Sequence, residues 1–197
     1  VYTSSGAAYG YHSDSAPLLD EEQPIRGNQA FAYAWHKRLV EELLHEWREQ
    51  HPELGQLVFR VSTILGPAVQ SPITDLFERP VVIGLRGVAS PFCFASQRDV
   101  VDCLVQGSLG EKTGIYNLTG DGVMTLREVA AKMGGRYLGV PERLLRRGLA
   151  QLYRRGLTRH GPDQLLFLRY RPVLSNERLK TEFGFVPADS TREVFEA

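Results

Sequence analysis

The 197-residue sequence predicts an α/β fold with a mostly parallel sheet. Strand-like and helix-like segments alternate along the chain, which is typical of parallel sheets with crossover helices. The stretch "QLVFRVS" at residues 56–62 is also apolar and β-branched, with turn-forming residues around it. Such a run is expected of a strand buried on both faces. A chain of this length can form one sizeable domain with its own core.

The first half of the chain supplies most of the predicted strands. Residues 1–4 predict a short strand, followed by a Gly-, Ser-, Asp- and Pro-rich loop to about residue 27. A long helix is predicted from about Gln29 to Gln50, ended by Pro52 and Gly55. Further strands are predicted at 80–85, 91–95 and 114–120, and "SQRD" predicts a helix cap at residue 96.

The second half is predicted to be mostly helical. "TLRE" at 125–128 and "STRE" at 190–193 are capping boxes, and "SNERLKTEFG" predicts a further capped helix. Residues 141–171 contain two basic amphipathic segments. Their leucines are expected to pack and their arginines to face solvent, or else the arginines contact substrate or a second subunit.

Composition excludes several classes of function. The 23 basic and 23 acidic residues give no net charge, which argues against a nucleic-acid or anionic-membrane partner. Two cysteines fit a reduced intracellular protein and show no metal-ligand spacing, so no metal site is predicted. Neither a signal peptide nor an apolar run of roughly 18 residues is present. We therefore expect a cytoplasmic protein.

A tyrosine and a lysine lie four residues apart in "FAYAWHK", residues 31–37. On a helix, Tyr33 and Lys37 share one face, at the border of an apolar arc formed by Leu39, Val40, Leu43, Leu44 and Trp47. A nearby ammonium lowers the pKa of a phenol by about 1–3 units, so that tyrosine can act as an acid or base. The same spacing also arises by chance on helix surfaces, so a surface pair remains an alternative.

A serine-containing segment precedes this pair. "TSSGAAYG" at residues 3–10 follows a predicted strand, where a serine hydroxyl can reach the oxygen on which the tyrosine acts. An ordinary Ser/Gly turn is the other interpretation.

Taken together, these segments resemble the extended short-chain dehydrogenases/reductases, also called NAD-dependent epimerases/dehydratases. "SSGAAYG" resembles the family's Ser-Ser-x-x-x-Tyr-Gly element, and "YAWHK" its Tyr-x-x-x-Lys. "RVSTILGP" (60–67) and "FASQRDVVDCLV" (94–105) resemble two later motifs. The resemblance spans essentially the whole chain, with order and spacing preserved.

The resemblance implies a fold and a division of the chain. It implies a partial Rossmann-like, doubly wound parallel sheet with a smaller, mostly helical C-terminal substrate lobe. Residues 1–66 and 80–118 would form the C-terminal half of the catalytic domain. Residues 67–79 and 119–197 would form the substrate-binding lobe, interleaved with it.

The resemblance also implies roles for individual residues. Tyr33 would be the general acid/base, Lys37 would bind the nicotinamide ribose and lower the tyrosine's pKa, and Ser5 would hydrogen-bond the reacting substrate oxygen. Ser62, Gly66 and Pro67 would lie beside the cofactor. Ser62 would also contact substrate, as would Arg98. The implied cofactor is NAD, with NADP not excluded.

Two departures from the family pattern bear on these expectations. The Gly-rich phosphate-binding turn is missing from this sequence, so we expect the chain to be the C-terminal two-thirds of a larger enzyme, inactive alone. The usual diphosphate anchors are also altered. Any of six arginines could replace them: Arg86, Arg98, Arg146, Arg147, Arg169 and Arg171.

Three functions remain open at this point. The first is a sugar-nucleotide epimerase or dehydratase that resembles UDP-glucose 4-epimerase. The second is an NAD(P)H-dependent reductase or hydroxysteroid-type dehydrogenase. Phe92, Phe94 and the Leu-rich segment at 141–168 would suit its apolar substrate, or else these residues pack in the core. The third is a non-catalytic binding module. The resemblance further implies a homodimer through the helix of Tyr33, with Trp35 and Trp47 in that contact or in the core.

Overall fold

A computed structural model describes residues 1–77, 79–158 and 161–197, without the side chains at positions 72 and 75. Position 78 of the predicted lobe and positions 159–160 of the basic segment lie outside the described residues. The strands are β1 Tyr2–Ser5, β2 Leu57–Val61, β3 Thr63–Leu65, β4 Val81–Leu85, β5 Pro91–Phe92, β6 Phe94–Ser96, β7 Gly114–Leu118, β8 Met124–Thr125 and β9 Arg136–Val140. The α-helices are α1 Ala32–Gln50, α2 Pro72–Phe77, α3 Gln97–Leu109, α4 Leu126–Lys132, α5 Glu142–Arg154, α6 Gln164–Arg169 and α7 Thr191–Glu196.

The central sheet has three parallel strands in the order β1-β2-β7. Every residue of β2 is buried, as its largely apolar sequence predicts. Thr3 pairs with Phe59, and Phe59 with Tyr116, so the three strands are in register along their whole length. The predicted α/β class with a parallel sheet is confirmed.

Three further strand pairs form separate small sheets. β3 pairs with β6 and β4 with β9, both in parallel, while β5 and β8 are antiparallel. The β4–β9 pair joins the predicted catalytic portion to the predicted lobe. The proposed division of the chain stays a prediction, and this pairing crosses its boundary.

Of the three hydrophobic cores in the described part of the chain, two hold these layers together. The first lies around Phe59, Leu118 and Phe183 and joins the central sheet to α3 and the C-terminal segment. The second lies around Phe92, Phe94 and Met124 and holds α4 and α7. Phe92 and Phe94 are fully buried there. They therefore pack in a core and do not line an open pocket.

Most predicted helix ends are found where expected. Ser96 caps α3, and capping boxes begin α4 at Thr125 and α7 at Ser190. "SNERLKTEFG" forms only a short helical stretch, with π-helical geometry over Leu179–Phe183. It ends at Gly184 in the left-handed conformation (φ 77°), which glycine adopts without steric cost.

The apolar arc of α1 is only partly covered. Leu43 is 51% exposed and Trp47 48% exposed, and Trp47 stacks on the neighbouring His51 ring at 4.6 Å. Trp47 is thus not a core residue of this chain, because α1 turns its opposite face, with Ala34 and Glu41, towards the sheet. Among the described residues, no helix is long and apolar enough to span a bilayer.

Candidate active site

The candidate site lies at the carboxyl end of β1. In parallel α/β sheets, ligands bind beyond this end of the strands. Ser5 is the last residue of β1, and its Oγ accepts a hydrogen bond from the Ala7 amide at 3.2 Å. This bond begins a 3₁₀ helix at Gly6–Tyr9 and fixes the serine side chain at the sheet edge.

Lys37 is held between β1 and α1. Its Nζ donates to the Thr3 carbonyl oxygen at 2.7 Å and to the Tyr2 hydroxyl at 3.3 Å. The same Nζ lies 5.8 Å from the centroid of the Tyr33 ring. The structure therefore brings Tyr33 and Lys37 together, with the ammonium held at a fixed place on the strand.

Tyr33 lies in the first turn of α1 and is 61% exposed. Within the described ranges, its hydroxyl has no hydrogen-bond partner. The Ser5 side chain likewise makes no hydrogen bond to Tyr33 or Lys37 there, although Ser5 lies two residues beyond the carbonyl that Lys37 binds. An exposed phenol without a partner is free to bond with an incoming ligand oxygen.

A buried ion pair fixes α1 to the sheet one turn beyond Lys37. Arg60 of β2 donates from Nη2 to Glu41 Oε2 at 2.7 Å, and both side chains are about 95% covered, at 5% and 4% exposure. Arg60 Nε lies 2.9 Å from the same oxygen, and the Ser4 hydroxyl also donates to Glu41. The carboxylate thus joins α1, β1 and β2 beneath the catalytic candidates.

Tyr9 extends this network. Arg60 Nη1 donates to the Tyr9 hydroxyl at 2.9 Å, and that hydroxyl lies 2.9 Å from Asn117 Oδ1 of β7. Burial raises the pKa of Tyr9 to about 12, although Arg60 works in the opposite direction. Tyr9 therefore remains a neutral structural link.

Sequence reasoning did not identify Glu41, Arg60 or Tyr9 as a unit. One signal was available: Glu41 follows Lys37 by four residues, so it lies on the same helix face. A carboxylate on the face turned to the sheet requires a buried partner. The sequence does not say which of its many arginines provides it.

The segment predicted to lie beside the cofactor runs along β3. Ser62 donates its backbone N–H to the Leu118 carbonyl oxygen at 3.0 Å, while its Oγ is buried without a hydrogen-bond partner in the described part of the chain. A Cβ at Gly66 would lie 2.6 Å from Gln97 Cβ, so a side chain there would displace Gln97. Pro67 follows at the turn after β3. These positions are close to α3, but their predicted role stays untested.

Arg98 is placed away from these residues. It lies on α3 with its side chain 83% exposed and pairs with Asp102 at 3.6 Å. No contact within the described ranges connects it to Tyr33, Lys37 or Ser5. In the same ranges, no cluster of three or more His, Cys, Asp or Glu side chains could hold a metal ion.

Gly27 packs closely against the first turn of α1. A Cβ added at Gly27 would lie only 2.2 Å from the Ala34 carbonyl oxygen, which is backbone and cannot move aside easily. We expect Gly27→Ala to destabilise the protein by roughly 1–3 kcal/mol. Gly148→Ala is the matched control: nothing lies within 4 Å of its added Cβ, and it should be neutral or stabilising by up to about 1 kcal/mol. Chemical denaturation of both variants measures the difference, and equal midpoints would contradict this packing.

Comparison with known proteins agrees with the motif resemblance. Residues 1–80 match the model of the NAD dependent epimerase/dehydratase family. Across 202 aligned residues, the chain is 21% identical to an uncharacterized protein of Mycobacterium tuberculosis, covering 100% of this chain and 52% of that protein. The chain thus spans about half the length of the curated relatives it matches.

Solved structures share the fold over nearly the whole chain. UDP-glucose 4-epimerase of Thermus thermophilus, solved with NAD, has a TM-score of 0.69 at 20% identity and covers 98% of this chain and 60% of its own. UDP-glucose 4-epimerase of Thermotoga maritima, solved with UDP-glucose, has a TM-score of 0.69 at 15% identity, with 98% and 60% coverage. The dTDP-glucose 4,6-dehydratase of Bacillus anthracis, solved with NAD, has a TM-score of 0.67 at 18% identity, with 98% and 58% coverage. These likenesses confirm the Rossmann-like fold that the motifs imply.

Proposed function

We propose that the full natural protein is an NAD-dependent epimerase or dehydratase of sugar nucleotides. The observation that carries the proposal is the Tyr33–Lys37 pair on α1, held against β1 by the bond from Lys37 to Thr3. The epimerase/dehydratase model that matches residues 1–80, which include this pair, supports it. So do the sugar-nucleotide enzymes among the structural neighbours.

The residues present fit part of a nicotinamide site. Two of the three Lys37 N–H groups bind Thr3 and Tyr2, which leaves one donor for a ribose hydroxyl. The phosphate-binding Gly-rich turn is not part of this sequence, so this chain supplies only the nicotinamide half of the site. NAD, when bound, accepts a hydride from a sugar carbon and returns it.

Tyr33, Lys37 and Ser5 would act on the hydroxyl group of the sugar and its proton. Tyr33 would hold and move, at its hydroxyl oxygen, the proton of the sugar hydroxyl on the reacting carbon. Lys37 places a positive charge 5.8 Å from the Tyr33 ring. Ser5 donates a hydrogen bond to the same oxygen. Tyr33 would return the proton to the same sugar oxygen in the reverse step.

The reductase alternative receives less support. It depended on an apolar pocket lined by Phe92, Phe94 and the Leu-rich segment at 141–168, and the two phenylalanine rings are fully buried in the second core. The binding-module alternative gives no physical reason for a lysine held beside an exposed tyrosine. The cytoplasmic location and a homodimer stay predictions.

Product analysis tests the proposal. The full natural protein is incubated with NAD and, separately, with UDP-glucose and dTDP-glucose, and the products are separated by chromatography. We expect an epimer or a dehydrated keto sugar with no net consumption of NAD. Net NADPH or NADH consumption with simple carbonyl compounds, and no sugar product, would favour the reductase. No turnover with either set would contradict enzymatic function.

A further inference from the structure

The helix α5 is amphipathic, yet none of its residues is buried. Leu144 is 59% exposed and Leu152 is 43% exposed. Gly148 lies midway between them, and a Cβ added there would have nothing within 4 Å. Residues four apart share a helix face, so these three form one open apolar stripe. The leucines of this segment were expected to pack, and for these two that expectation is wrong.

Further exposed apolar side chains lie on the strand pair that leads into α5. Val81 and Ile83 of β4 and Leu138 of β9 are exposed, whereas Val82 is fully buried. Ile83 and Leu138 are partners in the parallel pair, so they lie side by side on one face of it. One residue, Pro141, separates β9 from α5. Exposed apolar surface therefore occurs on consecutive elements of the chain, which is typical of an interaction site.

The charges of α5 are as one-sided as its apolar residues. Positions 142–155 contain five arginines and one glutamate, although the whole chain has no net charge. Glu142 already binds Arg146 of the same helix and Arg169 of α6. The other four arginines are exposed and pair with no carboxylate in the described part of the chain: Arg143, Arg147, Arg154 and Arg155. The neutral total, which argued against an anionic-membrane partner, therefore conceals a local excess of positive charge.

The unpaired arginines lie next to the apolar stripe. Arg143 and Arg147 are four residues apart, on one helix face with Arg154. Arg147 follows Leu144 by three residues, so this face borders the stripe. A long arginine side chain lays its methylenes along apolar surface while its guanidinium reaches a polar layer. Leucines on one face with arginines beside them are typical of helices that lie in the surface of an anionic bilayer.

We propose that α5 docks the protein on an anionic phospholipid bilayer. Leu144 and Leu152 enter the boundary between head groups and acyl chains, and the four unpaired arginines contact the lipid head groups. Charge selects this occupant, because a second copy of α5 would place like-charged arginines against each other. A bilayer that contains phosphatidylserine instead supplies negative charge across its whole surface. The inference goes beyond the proposed function, since the candidate active site does not use α5.

Vesicle sedimentation tests the inference without any measurement of turnover. The full natural protein is mixed with vesicles of phosphatidylcholine alone, or of equal parts of phosphatidylcholine and phosphatidylserine, at about 0.1 M salt. We expect the partition coefficient to be about tenfold or more higher for the anionic vesicles, and to fall strongly at about 1 M salt, which screens the arginines. Equal binding to both kinds of vesicle, or binding to neither, overturns the inference.

Two double variants separate the charges from the apolar stripe. Arg143→Gln with Arg147→Gln should lower the partition into anionic vesicles by about tenfold or more, since each arginine near such a surface contributes a factor of about five. Leu144→Gln with Leu152→Gln should also lower it by about tenfold or more, because two apolar side chains no longer leave water. All four side chains are exposed and glutamine suits a helix, so the melting temperature should stay unchanged in both variants.

An exposed pair of cations elsewhere provides the control. Lys132→Gln with Arg192→Gln removes the same charge from α4 and α7, and vesicle binding should not change. Unchanged binding in either α5 variant overturns the inference. Sedimentation of the protein alone identifies the competing occupant: self-association that the leucine variant loses, with no effect on vesicles, would assign the stripe to a second copy and overturn the bilayer.

Discussion

Replacing Tyr33 by phenylalanine should lower kcat by about 10²- to 10⁴-fold in the full natural protein. The change removes only the phenolic oxygen, the atom proposed to carry the proton. That hydroxyl has no hydrogen-bond partner among the described residues, and the side chain is 61% exposed. We therefore expect an unaltered melting temperature and an NAD affinity close to that of the natural protein. Steady-state kinetics together with NAD titration measures both quantities.

A tyrosine elsewhere on the surface provides the control. Tyr153 on α5 is 54% exposed, and Tyr153→Phe removes the same atom from a comparable environment. Its turnover should match that of the natural protein. If Tyr33→Phe retains more than about a tenth of the activity, another group is the acid/base, because a lost proton-transfer group costs more than that.

The helix caps and the central strand could be predicted from the sequence, because they depend on residues that are close together in the chain. Serine and threonine hydroxyls three residues before a glutamate cap α4 and α7, and both capping boxes form. The apolar run at 56–62 became the buried central strand β2. The exposure of Trp47 could not be predicted in this way. The helical wheel gives an apolar arc but does not say what covers it, and here the ring is 48% exposed.

The candidate site likewise has features that the sequence predicts and features that it does not. The spacing of Tyr33 and Lys37 is local, so their shared helix face follows from the sequence. The pairing of Glu41 with Arg60 joins residues that are 19 positions apart, and the hydrogen bond from Arg171 to Thr63 joins residues that are 108 positions apart. Long-range pairs of this kind depend on how strands and helices pack. Six arginines that the sequence could not rank therefore become distinct only through burial and partners.

Separating the buried Glu41–Arg60 pair should destabilise the protein strongly. We expect Glu41→Met and Arg60→Met each to lower the free energy of unfolding by about 3–5 kcal/mol, because each leaves a buried group without its partner. The surface pair of Arg38 and Glu42 on the same helix, at 2.6 Å, is the control. There, Glu42→Gln should cost less than about 1 kcal/mol.

The double variant distinguishes the charge pair from ordinary packing. With Glu41→Met and Arg60→Met combined, no buried charge is left, so the loss should be smaller than the sum of the two single losses by about 1–3 kcal/mol. Strictly additive losses, measured by denaturant unfolding, would contradict the pairing. Ser4 loses its acceptor in both Glu41 variants, so β1 and its neighbour Ser5 become less firmly held to α1. We therefore expect turnover to fall even at temperatures where the double variant is fully folded, since the roles proposed for Ser5, Tyr33 and Lys37 require one shared geometry.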